Sequence, residues 1–354
     1  MIEMTDKITL AHGAGGEQMD SFIKKIILKH LSQNIKNVEI PLSMLDDSSV
    51  IDDIVFSTDS HTVQPLFFPG GDIGSLSVAG TINDISVMGA KPIALSSGFI
   101  IEEGFSFDLI DKIVKSMATS AKQAKVPIIT GDTKVVEHGA IQEFMMNTSG
   151  IGKRTKVLDE NIKTVKRYRT FSQRWLLDSN LQPGDAIILS GTIGDHGIAL
   201  MSYREGYGFE TKVKSDVAPL NHLIESTLKV GGVVAAKDPT RGGLANTVNE
   251  FSEKSNYQII LEEEKIPISK GVHAACDMLG LDPFHIGNEG KVVLGVVKEK
   301  AEEILAEMKK HPLGKKASII GTVGDKKGYV VMQTKIGGRC IISKPIGDPI
   351  PRIC

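Results

Sequence analysis

The sequence predicts a two-domain protein of the α/β (α+β) class. Three observations support this. The chain has 354 residues, enough for two domains of ordinary size. Its first half alternates strand-like apolar runs with helical patterns, and its second half repeats that style after a basic, turn-rich segment. Alternation of this kind is typical of sheets covered by helices.

The first half begins with the glycine-rich stretch AHGAGG at residues 11–16. Apolar residues at helical spacing follow between residues 17 and 31, which predicts an amphipathic helix. Apolar runs bounded by Gly, Pro or Asp predict strands at 54–58, 93–101 and 144–151. Apolar positions of helical period lie between them, starting near Val78 and near Leu109. We therefore expect an α/β first domain.

The boundary between the domains is expected within residues 153–180. Residues 153–174 hold eight Lys or Arg against Asp159 and Glu160, and a Pro-Gly-Asp turn follows at 183–185. A basic stretch like this either docks a partner or is a solvated insertion, and we expect the insertion. The predicted divisions are an N-terminal segment 1–36, a first domain 37–152, a basic linker 153–180, a second domain 181–336 and a flexible tail 337–354.

Composition excludes several functional classes. The chain is 41% hydrophobic and 24% charged with a net charge of -2, so it has no general electrostatic attraction for nucleic acid or an anionic membrane. Its apolar runs are shorter than the ~18 residues of a membrane span, and its N-terminus is polar, so we expect a cytoplasmic protein. Its three cysteines lack CxxC spacing, which favours reduced thiols over disulfides or a zinc site.

Four aspartates mark a candidate magnesium site in the first domain. Asp47, Asp59, Asp84 and Asp132 occur in the motifs LDDSSV, STDSH, TINDIS and TGDTKV, at predicted strand ends and helix starts. Magnesium needs few carboxylates when it bridges phosphates, and these ligands suit it. Taken singly, each aspartate fits a turn or N-cap equally well. The sequence lacks the GxxxxGK[ST] phosphate loop, so a nucleotide would bind another way.

Candidate catalytic groups lie near the same motifs and near the C-terminus. Lys134 and His138 follow Asp132, where a lysine contacting phosphate is plausible, although a surface lysine and a loop histidine fit as well. Glu289 lies in a glycine-rich setting in the second domain. Cys354 ends a proline-rich tail that cannot form a helix. At ~3.3 Å per residue the stretch after Gly347 carries that thiol up to roughly 23 Å, so it can act as a tethered carrier.

The motifs together resemble the HypE family of hydrogenase maturation factors, carbamoyl dehydratases of the superfamily of aminoimidazole ribonucleotide synthetase and selenophosphate synthetase. The resemblance covers nearly the whole chain and includes AHGAGG, DDSSV, STDSHTVQPLFFPGGDIGS, TINDISVMGAKP, TGDTKVV, GTIGDHG, KDPTRGG, HIGNEG and the ending PRIC. It implies a two-domain PurM-like architecture. The first domain would form a dimeric β-barrel interface, and the α/β second domain would cover the nucleotide.

The resemblance also implies a reaction and its participants. A carbamoyltransferase, HypF, would place a carboxamide on Cys354, and this chain would dehydrate it to a thiocyanate with ATP and Mg²⁺. The cyanide would pass to iron on HypC and HypD for assembly of the Fe(CN)2CO centre of a NiFe hydrogenase. A homodimer is implied, with no nucleic-acid or membrane partner. Four residues are then catalytic candidates: Cys354, Lys134, and His138 or Glu289 as the base. The expected nucleotide- and metal-binding residues are Asp47, Asp59, Gly71, Asp72, Asn83, Asp84, Gly131 and Asp132, of which Asp47, Asp59, Asp84 and Asp132 would hold magnesium.

Two other functions fit the same sequence. One is an ATP-dependent synthetase acting on a free small molecule, for which Cys354 would be irrelevant. The other is a scaffold of hydrogenase assembly that binds nucleotide only to control partner docking. Deleting the last four residues would leave the substrate turnover of a small-molecule synthetase intact. A scaffold would not hydrolyse ATP. These two results would distinguish both functions from a self-modifying dehydratase.

Overall fold

The first half of the chain is organised around one mixed sheet. A computed structural model describes residues 7–31, 36–204, 212–326, 328–347, 350 and 352–354. The sheet has six strands in the order β1-β2-β3-β8-β6-β7. Its strands are β1 (Val38–Ile40), β2 (Ser49–Ile51), β3 (Ile54–His61), β6 (Lys91–Glu102), β7 (Ile128–Val136) and β8 (Phe144–Lys153). A short hairpin of β4 (Phe67–Phe68) and β5 (Gly71–Asp72) precedes the main helix.

Helices of the first half confirm the sequence patterns. The predicted helix at 17–31 is present as α1 (Glu17–Phe22), a π-helical turn (Ile23–Ile27) and α2 (Leu28–Leu31). α3 (Ile73–Val87) and α4 (Phe107–Ala124) are the two helices expected between strands. α3 is apolar on nearly all sides, so it is buried against the sheet. α4 is amphipathic and covers α3 with one face.

The second half contains a seven-stranded sheet in the order β10-β12-β9-β13-β11-β14-β15. The strands are β9 (Ala186–Leu189), β10 (Val233–Lys237), β11 (Ile259–Glu262), β12 (Val293–Val296), β13 (Ser318–Val323), β14 (Val330–Gln333) and β15 (Arg339–Ile342). The helices are α6 (Asp195–Tyr203), α7 (Asn221–Val230), α8 (Gly243–Ser255), α9 (Lys270–Leu279) and α10 (Ala301–Lys310). The alternation of strands and helices expected in the second half is therefore present. None of the described helices is both long and apolar enough to cross a bilayer.

The basic segment is a packed helix, so the expectation of a solvated insertion was wrong. α5 (Lys156–Val165) buries Leu158 and Val165 in a core that also takes Trp175 from the segment that follows. The apolar positions of α5 recur at helical spacing among the basic residues. The prediction missed this spacing because it used only the number of charged residues in the segment.

Arg169, from the same segment, stabilises the joint through a buried ion pair. Its guanidinium lies 2.7 Å from Asp185, which is 3% exposed, and also donates to the Asn180 carbonyl at 2.8 Å.

Replacing Arg169 with alanine leaves the Asp185 carboxylate buried without its charge partner. We expect the free energy of unfolding to fall by about 3 kcal/mol, measured by chemical denaturation. Arg167→Ala on the exposed side of the same segment should change it by less than about 0.5 kcal/mol. Equal effects would contradict this role.

The tail is less free than its prolines suggested. Its first part forms β15, which pairs antiparallel with β14. Ile350 and Ile353 are each 1% exposed, so the described terminal residues are docked rather than extended into solvent. The predicted helix-breaking residues Pro349 and Pro351 lie outside the described part of the chain.

Candidate active site

An acidic cleft lies between the two halves of the chain. It has a volume of about 600 Å³ and is lined by the N-terminal helix, by α3 and α8, by the ends of β3 and β10, and by the C-terminus. Of the predicted site residues it contains Asp47, Asp59, Asp84 and Cys354. Further carboxylates on its wall are Asp20, Asp46, Asp238, Glu250 and Glu253, and its cations are Lys24, Lys237, Arg241, Lys254 and Lys344.

Local structure holds the central carboxylates in place. Asp84 projects from α3, and its Oδ2 accepts a hydrogen bond from Ser57 Oγ at 2.7 Å on neighbouring β3. The carbonyl of Asp84 accepts from Ser48 Oγ at 3.0 Å, which ties the loop carrying Asp47 to the same helix. Asp47 accepts from Lys237 Nζ at 2.7 Å. These contacts bring three motifs that are remote in sequence to one surface.

The carboxylates of the cleft repel one another. Burial, and then the charges of Asp238, Asp59 and Asp47, raise the pKa of Asp84 well above its ordinary value. Burial and Asp47 raise the pKa of Asp238 to about 7. A divalent cation would relieve this repulsion, so the donor set fits magnesium. In the described part of the chain, no three His, Cys, Asp or Glu side chains form a metal site by themselves. Phosphate and water oxygens would therefore supply the remaining ligands.

Two lysines, Lys237 buried and Lys254 half-buried, partly neutralise the cleft. Lys237 Nζ lies 2.7 Å from Asp47, 3.0 Å from Glu250 and 3.3 Å from Asp178. Burial alone would lower the pKa of Lys237, but the neighbouring carboxylates more than offset this and raise it well above its ordinary value. Lys254 Nζ lies 2.8 Å from Asp178 and 3.2 Å from Asp46. Both lysines are therefore charged and hold the walls of the cleft together.

Sequence reasoning missed the contribution of the KDPTRGG motif. Lys237 ends β10, Asp238 follows directly, and Arg241 precedes α8. The sequence provided this motif only as part of the family resemblance, with no role assigned to its charged residues. A charged triplet between a buried strand and a glycine-rich helix start was the available signal, because α/β sites lie at strand ends.

Cys354 lies in the cleft at the end of the docked tail. Its carbonyl accepts a hydrogen bond from Thr62 N at 3.0 Å, and the Arg352 carbonyl accepts from Gln64 N at 3.3 Å. Cys354 and Arg241 also share the wall of a smaller adjoining cavity of about 160 Å³. Cys354 as an anion is the largest of the influences that raise the pKa of Arg241. The C-terminal cysteine and the central aspartates therefore meet at one site within a single chain.

Glu289 is buried behind the cleft. It is 2% exposed, and its Oε1 has no hydrogen-bond partner among the described residues. Burial, followed by the charges of Asp238, Asp59 and Asp216, raises the pKa of Glu289 well above its ordinary value, and Arg241 opposes that rise. Once deprotonated, such a carboxylate is a strong base, which is the property that a proton-abstracting group needs.

Asp132 and Lys134 lie elsewhere, on the outward side of the six-stranded sheet. They line a pocket of about 290 Å³ together with Ser60 and Thr62. Ser60 and Thr62 also line the small cavity that holds Cys354, so the two pockets adjoin. His138 is exposed beyond the end of β7, with its Nδ1 3.1 Å from Glu102 Oε1. Within one chain, these three residues are not in the acidic cleft.

The other predicted nucleotide-binding residues make contacts that stabilise the fold. Asp72 caps α3 by accepting from Gly74 N at 2.7 Å and Ser75 N at 3.0 Å. Asn83 is buried and joins the two halves, because its side chain accepts from Leu220 N at 2.8 Å. Gly71 packs beside Phe68 and Val217, and Gly131 lies against the backbone of β6. The structure does not bring these four residues to the acidic cleft.

Both halves of the chain match a known protein family. Residues 45–153 match the family of AIR synthase related proteins, N-terminal domain, and residues 182–333 match its C-terminal domain. The chain is 43% identical to carbamoyl dehydratase HypE of Cupriavidus necator strain H16, over 98% of this chain and 95% of that one. A structure of HypE in complex with ATP superposes with a TM-score of 0.77 at 39% identity, covering 98% of this chain and 100% of that one. The HypE–HypF complex gives a TM-score of 0.82 at 43% identity, covering 92% and 100%.

Proposed function

Because this chain belongs to the HypE family of carbamoyl dehydratases, with the two domains of AIR synthase related proteins, we propose that its substrate is its own Cys354. A carboxamide on the Cys354 sulfur is dehydrated to a thiocyanate, with ATP consumed in the reaction. The observation that carries this proposal is the docked C-terminus, which places Cys354 in the same cleft as Asp47, Asp59 and Asp84.

The reaction needs activation because hydroxide is a poor leaving group from an amide. The carboxamide oxygen attacks the γ-phosphorus of ATP, and the bond from that phosphorus to the ADP oxygen breaks. Loss of the nitrogen-bound protons then forms the C≡N bond as the carbon–oxygen bond to phosphate breaks. The products are the S-cyanide, ADP and phosphate. A relative in this family has been solved with ATP, which supports nucleotide binding here.

The chain's own residues position these groups and move the protons. Asp47, Asp59 and Asp84 would hold magnesium, and Asp132, which lies outside the cleft of its own chain, would join such a site only from a partner subunit. Bound Mg²⁺ would neutralise the phosphate oxygens during transfer. Lys134 would stabilise charge that develops on the transferring group. Glu289, buried and with one unpartnered oxygen, is the better placed of the two candidate bases, because His138 is exposed and paired with Glu102.

The proposed partners follow from the chemistry at Cys354. HypF, which forms a complex with a relative of this chain, would supply the carboxamide. The cyanide would pass to iron held by HypC and HypD for the centre of a NiFe hydrogenase. A homodimer is also proposed. The outward face of the six-stranded sheet exposes apolar side chains that a second copy would cover, among them Ile54, Phe56 and Ile100.

Phosphate release tests the proposed function. We expect chains carrying the S-carboxamide to release one phosphate for each thiocyanate formed, and unmodified chains to release little. Free phosphate and the mass of the C-terminal peptide would be followed in the same sample. A carboxamide-bearing chain that binds ATP without hydrolysing it would instead support a scaffold.

Asp84→Asn should weaken nucleotide binding in the presence of magnesium. The amide cannot supply the negative charge of the carboxylate, and we expect affinity to fall on the order of 100-fold, measured by titration calorimetry. Since burial and neighbouring charges penalise ionised Asp84, the same variant should melt at a higher temperature than wild type without ligand. Asp111→Asn on exposed α4 is the control. Unchanged affinity in Asp84→Asn would refute the assigned role.

A further inference from the structure

His196 is a buried histidine that the proposed reaction does not use. It lies in the first turn of α6 and is 0% exposed, with its ring edge-on to Phe68 at a centroid distance of 5.4 Å. Nδ1 lies 2.8 Å from Ser215 Oγ. Nε2 lies 2.8 Å from the carbonyl oxygen of Ile353, the residue before Cys354. Both ring nitrogens are therefore engaged, one of them by the tail.

The hydrogen-bond network fixes which nitrogen carries the proton. Burial lowers the pKa of His196, so the ring is neutral near pH 7. A carbonyl oxygen only accepts, so Nε2 donates to Ile353. The Ser215 hydroxyl accepts from Val217 N at 3.1 Å and donates its proton to Nδ1. The donor that faces the tail is thus held in one orientation by groups outside the cleft.

The tail fits a groove shaped for it around this histidine. A Cβ on Gly287 would collide with Ile353 Cδ1, and a Cβ on Gly197 would lie 2.7 Å from Ile350 Cδ1. Arg204 Nη2 donates to the Arg352 carbonyl at 2.8 Å. His196 is the one donor that the described structure gives to the Ile353 carbonyl. Without it, docking would bury that carbonyl unsatisfied.

We propose that His196 is a positioning residue that sets how deeply the tail inserts. Its hydrogen bond is made one residue before Cys354, so it fixes the position of the sulfur, and of a carboxamide on it, relative to the acidic cleft. The effect of His196 on dehydration rests on the proposed function. The docking contact itself can be tested on the unmodified chain.

Alkylation of Cys354 by iodoacetamide measures docking directly, with exposed Cys340 of the same chain as an internal standard. We expect His196→Ala to raise the rate ratio of Cys354 to Cys340 about tenfold, the effect of losing one ordinary hydrogen bond. His196→Gln, whose amide can also donate to the Ile353 carbonyl, should restore most of the wild-type ratio. Affinity for ATP with magnesium should stay at the wild-type value in both variants.

Single-turnover dehydration of the carboxamide should slow by a similar factor in His196→Ala and recover in His196→Gln. If His196→Ala does not fold, Ile353→Ala tests the docked position from the tail, because it keeps the carbonyl that accepts from His196 but removes the side chain that packs against Gly287. It should raise alkylation of Cys354, whereas Arg352→Ala, whose side chain is exposed, should raise it less. A wild-type alkylation ratio in His196→Ala, or in Ile353→Ala where His196→Ala does not fold, would overturn the proposal. A wild-type chain that alkylates slowly but never dehydrates would instead contradict the proposed function and leave the docking contact standing.

Discussion

Replacing Cys354 with alanine is expected to abolish both the uptake of a carboxamide and its dehydration. Only the sulfur is removed, and the Cys354 carbonyl that accepts from Thr62 N remains. Cys276 is buried, and burial raises the pKa of its thiol to about 11, so it cannot replace Cys354 as a nucleophile. Intact mass after incubation with HypF and carbamoyl phosphate, then with ATP and magnesium, checks this expectation.

The matched control is Cys340→Ala, because Cys340 is exposed and lies on β15, away from the cleft. That variant should be modified and dehydrated like wild type. Deleting the last four residues should reproduce the loss seen in Cys354→Ala while preserving nucleotide binding. A synthetase acting on a free small molecule would keep its turnover in both variants, and that result would replace the proposed function.

Lys134→Ala is expected to lower the rate of dehydration by about 100- to 1,000-fold, the loss typical of removing one donor that stabilises transition-state charge. Folding should be unaffected, because the side chain is exposed on the edge strand β7 and the described structure gives it no ion-pair partner. The measurement is single-turnover conversion of the carboxamide. Lys115→Ala on the exposed face of α4 should react at the wild-type rate. A wild-type rate in Lys134→Ala would remove Lys134 from the mechanism.

Mixing two inactive variants shows which subunit supplies Lys134. If Lys134 acts on the tail of the partner subunit, mixed dimers of Lys134→Ala and Cys354→Ala chains contain one site with both groups intact. Dehydration should then appear in the mixture but in neither variant alone. If Lys134 acts within its own subunit, each chain lacks one group and the mixture stays inactive. The outcome decides whether the pocket of Asp132 and Lys134 serves its own Cys354 or another's.

Much of the fold followed from local pattern. An apolar run in β3 and helical spacing in α4 predicted both elements, and in the structure each buries one face. α5 was obscured by its lysines and arginines, since charge was counted and periodicity was not. β15 was hidden because the tail was interpreted through prolines that come after it. Pairing of β15 with β14 depends on tertiary context that no local signal carries.

The site was predictable where chemistry was visible in a motif. Asp47, Asp59 and Asp84 were expected together from repeated aspartates at strand ends, and they do line one cleft. Lys237 and Asp238 were missed because a lysine next to an aspartate in sequence is usually an exposed pair on the surface. Only the fold shows that both are buried. Nor could spacing reveal that Asp132 lies on the opposite side of the sheet from Asp59, since this depends on strand register.

The mass of the C-terminal peptide, followed through two steps, tests the central claim most directly. The chain would be incubated first with HypF and carbamoyl phosphate and then with ATP and magnesium. We expect a carboxamide on Cys354 after the first step and the loss of one water from it only after ATP is added. An unmodified Cys354 under conditions where HypF is active, or a carboxamide that persists with ATP present, would contradict the account.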